Sequence, residues 1–190
     1  MADICNKALS GDILNDCAEA IGRGFKNKAW VLPYSAVTAT RNGNIVSAFT
    51  LEQDAVAHTI EVPGASAFTG STITGEDSDI MMTYTKVVRL WLGARSPENS
   101  AHIKELCDAP HIIVLELKNQ DADAQQAFVV VGLEQGAYGK APSQDAYGDA
   151  FGGWNVDMTE SNAQTPDVFF WSGESVETTR AALNSLLALD

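Results

Sequence analysis

"IMMTYTKVVRLWL", residues 80 to 92, decides the fold. Its even positions Ile80, Met82, Tyr84, Val88, Leu90 and Leu92 are apolar, with Lys86 the exception, while Thr83, Thr85 and Arg89 fall on the odd face. Apolar residues recurring every second position mark a long extended strand with one buried and one wet face, the pattern of an antiparallel sheet. Such a strand needs partners, and the sequence supplies them. "IVSAFTL" (45–51) and "VAHTIEV" (56–62) alternate in the same way, and "RNGN" (41–44) ahead of the first carries the Asn-Gly signal of a tight hairpin. In "WNVDMT" (154–159), Trp154, Val156 and Met158 alternate with Asn155, Asp157 and Thr159. "HIIVLEL" (111–117) and "FVVVGL" (128–133) are apolar on both faces and read as central strands covered on two sides.

Helices are few. "SPENSAHIKELCDA" places Ser96 as N-cap, Pro97 at the first helical position and Glu98 in the first turn, with Ile103, Leu106 and Cys107 at helical spacing and Pro110 as the stop. "GESVETTRAALNSLLALD" reads as a C-terminal helix with Val176, Leu183 and Leu187 on one side. "SGDILNDCAEAIGRG" is either a helix from Ser10 to Gly22 or an extended arm. Two stretches, 63–79 and 134–153, read as long loops that mix glycine with the isolated aromatics Phe68, Tyr138, Tyr147 and Phe151. The expected fold is mainly β: an antiparallel β-sandwich or barrel with one short flanking helix and a C-terminal helix. At 190 residues, one domain spans 1–190, with an N-terminal arm or helix at 1–28, the sandwich at 29–171 and the C-terminal helix at 172–190.

Motifs for chemistry are scarce. "FVVVGLEQGAYGKA" (128–141) runs from a strand into glycines and Gly-Lys, but Ala141 stands where a P-loop has Ser or Thr. Glu134 occupies the place of its first glycine, and Pro142 interrupts any following helix. Gly132, Gly136 and Gly139 also miss the spacing of the dinucleotide fingerprint. The segment therefore reads as a buried strand leading into a glycine-rich bend, with Lys140 pairing to nearby acids.

His58, His102 and His111 are far apart and in no metal-ligand spacing, and His58 reads as a core or interface histidine on the apolar face of its strand. The acidic stretches 75–79 and 119–126 read as solvated turns; the second lacks the glycine and closing Glu of a calcium loop. No serine lies in a GxSxG elbow. No catalytic residue, metal or cofactor is expected, and no enzyme.

The balance of 25 acidic against 12 basic residues gives a net charge of -13, which disfavours adhesion to nucleic acid or anionic membrane. No apolar run reaches membrane-spanning length and "MADICNK" does not open a signal peptide. Cys5, Cys17 and Cys107 read as reduced thiols of a protein made in the cytoplasm.

The order of the pieces resembles the tail tube proteins of long-tailed bacteriophages, in particular those of phages and prophages of Bacteroidetes. The match rests on the hairpin, the long polar segment, the long strand, the short helix "SPENSAHIKELCD" and the strand "HIIVLEL", followed by Gly132-Leu133-Glu134-Gln135-Gly136, "VDMTESN" and "TPDVFF". It spans most of residues 29–171 and departs from the family pattern at both ends. It implies a virion structural protein of the phage tail, made in the host bacterial cytoplasm. Its partners would be further copies of itself in six-fold rings, other tail proteins, and DNA that passes through the stacked tube without sticking. Phe68, Thr69, Ile73, Tyr138, Tyr147 and Phe151 are the expected inter-subunit contacts, with the 63–79 segment and the N-terminal arm joining one ring to the next. The alternatives are another β-sandwich virion or carbohydrate-binding module, of decoration or fibre type, with Trp154, Tyr147 and Tyr138 as a stacking platform, or a soluble enzyme built around a deep pocket with groups of shifted pKa.

Overall fold

The computed structural model describes residues 24–61, 68–77, 81–92, 96–118, 120–144 and 154–187, without the side chains of 68–70 and 144. Eleven strands and two α-helices follow one another among these residues. The strands are β1 (Phe25–Pro33), β2 (Val37–Asn42), β3 (Ile45–Leu51), β4 (His58–Glu61), β5 (Phe68–Asp77) and β6 (Met82–Leu92), then β7 (His111–Leu117), β8 (Phe128–Val131), β9 (Tyr138–Gln144), β10 (Trp154–Ala163) and β11 (Phe169–Phe170). Helix α1 (Pro97–Asp108) lies between β6 and β7, and α2 (Val176–Asn184) follows β11. A seven-stranded sheet has the order β2-β3-β11-β8-β7-β1-β4, and a four-stranded sheet the order β5-β6-β10-β9. All pairings are antiparallel except β11 on β3. The arrangement is sandwich-like, and neither sheet of the described residues closes into a barrel.

Alternation builds the core. On β7, Ile112 and Val114 join Trp30, Leu32, Phe128, Phe170 and Leu183 in one cluster, while Ile113 and Leu115 join Val88, Leu90, Val156 and Met158 in another. Both faces of the central strands are thus covered, which is why they lack a polar side. In β6 the even residues Lys86, Val88 and Leu90 are buried, as the period predicts. The hairpin expected at 41–44 joins β2 to β3 through Gly43 and Asn44, with Gly43 at φ +59 in the left-handed region that such a turn needs. Helix α1 starts as read, with Ser96 Oγ accepting from Asn99 N–H.

Helix α2 is held by Glu116, whose carboxylate accepts from Arg180 Nε (3.0 Å) and Nη2 (2.6 Å) and from Lys26 Nζ (2.6 Å). Burial pushes this carboxyl's pKa up, but the bonds from Arg180 and Lys26 outweigh it and hold it below the usual range. The helix covers Val176–Asn184 of the 172–190 assigned to it, and Leu187 instead bridges to Ala57.

Several expectations need correction. The two long loops each contain a strand: β5 lies within 63–79 and β9 within 134–153. The described side chains of β5, residues 71–77, are exposed on both faces, so no apolar alternation announces that strand. β9 is an edge strand, where Pro142 is tolerated. Gly139 within it is required because a Cβ would lie 2.9 Å from Cys107 Sγ and 3.0 Å from the Leu106 carbonyl of α1. The strand expected at 56–62 is confined to β4, and β1 begins at Phe25, inside the segment assigned to the N-terminal arm. Residues 1–23, with Cys5 and Cys17, lie outside the described residues.

The glycine-rich bend after β8 does hold an anion, and the anion is internal. Gly132 N–H donates to Glu160 Oε2 (2.9 Å), while Glu134 N–H (2.8 Å) and Gln135 N–H (3.1 Å) donate to Oε1. Gly132 (φ +89) and Gly136 (φ +74) turn the backbone so that these N–H groups converge, a peptide nest around a carboxylate. Lys86 Nζ stands 3.3 Å from Glu160 Oε2, and both side chains are fully buried. Lys86 is the exception on the apolar face of β6, and Glu160 lies opposite it on β10. Glu134 points elsewhere, accepting from Arg41 Nη1 (2.7 Å), Thr165 Oγ1 (2.7 Å) and the N–H groups of Gln164 and Thr165. Lys140 donates to Ser161 Oγ (3.4 Å) and forms no ion pair among the described residues.

Glu160→Gln is expected to destabilise the chain by about 3–5 kcal/mol, because it leaves the Lys86 ammonium buried without a counter-charge. Lys86→Met costs less, since three N–H groups still hold the carboxylate. Urea unfolding of the double-mutant cycle should return a coupling of about 1–3 kcal/mol; strictly additive costs would show that the two groups do not interact.

Candidate functional site

A cavity of about 790 Å³ opens between the edge of the larger sheet and α1. Val31 and Pro33 of β1, Trp91 and Leu92 at the end of β6, and Ile103 and Leu106 of α1 form its apolar walls. From the β4 side come Val56, His58, Thr59, Ile60 and Glu61. On α1 the residues Asn99, His102, Ile103 and Leu106 recur at helical spacing, so one stripe of the helix faces the opening.

All three histidines of the chain line this cavity. Strand pairing places two of them: His58 sits opposite Val31 on one side of β1, and His111 sits opposite Pro33 on the other. His58 is therefore exposed on a sheet edge, which excludes the core half of the reading of it as a core or interface histidine. His102 Nδ1 is 3.1 Å from Glu105 Oε2 on the open face of α1.

His111 is held by the glycine-rich bend. Its N–H donates to Ala137 O (2.9 Å) and its carbonyl accepts from Ala137 N–H (2.8 Å). A Cβ on Gly132 would stand 2.2 Å from that same carbonyl, and one on Gly136 would stand 2.5 Å from Pro110 Cβ, so the bend can close on this strand only with glycine at both places. Burial lowers the His111 pKa, against the pull of the Ala109 backbone and Glu105, and His58 pushes in the same direction as burial. The Nδ1 atom is buried and makes no hydrogen bond of normal geometry among the described residues.

The polar groups on the cavity are thus three imidazoles, two carboxylates, one amide and one hydroxyl; the described lining contains no Lys, Arg, Ser or Cys. Among the described residues no group of three or more His, Cys, Asp or Glu side chains is placed to hold a metal ion. Sequence reading missed this site because its members come from five separate segments, and its one advance signal is that Val56, His58 and Ile60 share a strand face.

The residues expected at inter-subunit contacts fall elsewhere. Phe68 and Thr69 open β5, Ile73 lies in its middle and Tyr138 opens β9, with Ile73 and Tyr138 both exposed. Ile73 pairs with Lys86, Lys86 with Glu160, and Thr159 with Tyr138, so the two exposed side chains stand nearly level on opposite edges of the smaller sheet. Tyr147 and Phe151 lie outside the described residues. Trp154 is partly buried against the core and sits five ladder positions from Tyr138, so these two do not form a common platform.

No protein-family model, curated protein or solved structure matches the chain. Its class is that of a sandwich-like, mainly β protein with a helix-covered cavity.

Stability should fall in two acid windows. His111 has a lowered pKa, so the folded state resists its protonation, and stability present above pH 6.5 is lost as pH drops below that value. For Glu134, burial raises the pKa, but the bonds from Thr165, Arg41 and Gln164 hold it at about 2 against an ordinary 4.5. Its contribution is complete above pH 4.5 and disappears as pH falls toward 2. Denaturation across pH should show the first limb flattened by His111→Leu and the second by Arg41→Ala; unchanged limbs would refute the assignments.

Proposed function

We propose that the chain is a self-assembling structural subunit of the tail-tube type, forming rings that stack into an acidic conduit for DNA. The observation that carries this reading is β5. It is an edge strand ten residues long, irregular at its start between Phe68 and Gly70, exposed on both faces over 71–77, and free of charge, proline and bulge over 71–75. An isolated protein normally blunts such an edge with charge, proline or a bulge, because its free N–H and C=O groups recruit another chain. The opposite edge, β9, is blunted in this way by Lys140, Pro142 and Ala141 at φ +47. Ile73, Met81 and Met82, three of the five large apolar side chains exposed among the described residues, lie on β5 or at the start of β6. Covering this edge with a neighbouring copy would bury them and satisfy the strand.

The net charge of -13 supports the conduit part of the reading, since a wall of that sign repels phosphates and lets a duplex slide. The layout resemblance supports the class of particle. The second reading is a ligand-binding module, favoured by the cavity, and it requires no assembly.

Light scattering over a concentration series, with negative-stain images of the heaviest fraction, tests the proposal. The expected result is rings or tubes with a central hole, with Ile73→Lys raising the concentration needed for assembly by roughly tenfold or more by placing a charge in the contact. A wild-type monomer at every concentration, or unimpaired assembly of the variant, would contradict it.

A further inference from the structure

We propose that the cavity beneath α1 binds a small organic amine, its apolar body against Trp91, Leu92 and Ile103 and its ammonium group facing Glu61 and Glu105. The site is open to a tube subunit and to a monomeric binding module alike, so it does not rest on the assembly reading.

Size and lining point to a ligand site: about 790 Å³, mostly apolar, with a few polar groups converging on it. The sign of the ligand follows from what lines the wall. Two carboxylates and three imidazoles face the space and the described lining has no Lys or Arg, so a carboxylate or phosphate would find no fixed cation there. An ammonium finds the carboxylates of Glu61 and Glu105 and an aromatic lining residue, Trp91, of a type that attracts cations through its ring quadrupole. His111 adds a buried Nδ1 with no hydrogen bond of normal geometry among the described residues, at the end of a strand fixed by the bend. Burial holds its pKa below the ordinary value, which favours the neutral imidazole beside the amine.

The chain has three histidines and all of them line the cavity, so every imidazole signal in a proton NMR spectrum reports on this site. Dilute full-length protein at neutral pH would be titrated with phenylbutylamine, phenylbutyrate and phenylbutanol, which share one apolar body and differ in the charge of the head. The amine is expected to move the histidine signals at concentrations where the acid and the alcohol do not. Glu61 and Glu105 are both exposed, so Glu61→Gln with Glu105→Gln should leave the fold intact by circular dichroism. It should weaken the amine by roughly threefold to tenfold. Histidine signals that ignore the amine, equal responses to all three compounds, or undiminished amine binding by the double variant would each overturn the proposal.

Discussion

The carboxylate of Glu160 is the constraint around which the molecule is organised. A buried carboxylate is tolerated when donors and an opposite charge surround it, and here three backbone N–H groups donate to it while the Lys86 ammonium, which makes no hydrogen bond of normal geometry among the described residues, stands 3.3 Å away as its counter-charge. Its partners come from two sources: the counter-charge of Lys86 from β6 of the smaller sheet, and the N–H donors of Gly132, Glu134 and Gln135 from the bend that leaves β8 of the larger one. One side chain therefore ties the two sheets together where the chain crosses between them. The pair contributes less through net attraction than through the penalty of removing the carboxylate, because the Lys86 ammonium alone would be a buried charge without a partner, whereas Glu160 alone keeps its three backbone donors.

That anchor reaches the cavity through few intermediates. The bend fixed by Glu160 runs into Ala137, Ala137 bridges His111 in both directions, and Tyr34 closes the outside of the bend by donating its hydroxyl to the Glu134 carbonyl at 2.9 Å. His111 stands at the start of β7, with β1 and then His58 beside it. His58 and His111 are thus placed on the cavity by backbone pairing and by a rigid turn, and His102 is brought to it by α1. The exposed edge at β5 lies on the other side of the same pair, since Ile73 is the neighbour of Lys86 on the outer strand.

Much of this was legible in the residues where burial imposes a period. β6, β7, β8, β10 and the capped helix α1 all stand where alternation, two-sided apolarity and the Ser-Pro-Glu start place them. β5 and β9 escaped because an edge strand exposed on both faces has no reason to alternate, and because glycine and proline in them answer to neighbours that sequence alone does not reveal. The spacing of the glycine-rich bend excludes a phosphate loop, yet its geometry is that of an anion cradle. Two clues were available: a lone lysine on the apolar face of one strand, and a glutamate continuing the buried face of another. Joining them required the register between β6 and β10, which no local pattern states. The cavity was illegible for the same reason, being assembled from residues on β1, β4, β6, α1 and β7.

Native-state hydrogen exchange tests the organising role of Glu160 most directly. The amides of Gly132, Glu134 and Gln135 lie in a turn, where protection is ordinarily low, but as donors to a buried carboxylate they should exchange only through global unfolding, together with the core amides of β7. Exchange of these three amides at the rate of an open surface turn, while β7 stays protected, would contradict the view that this carboxylate holds the two sheets together.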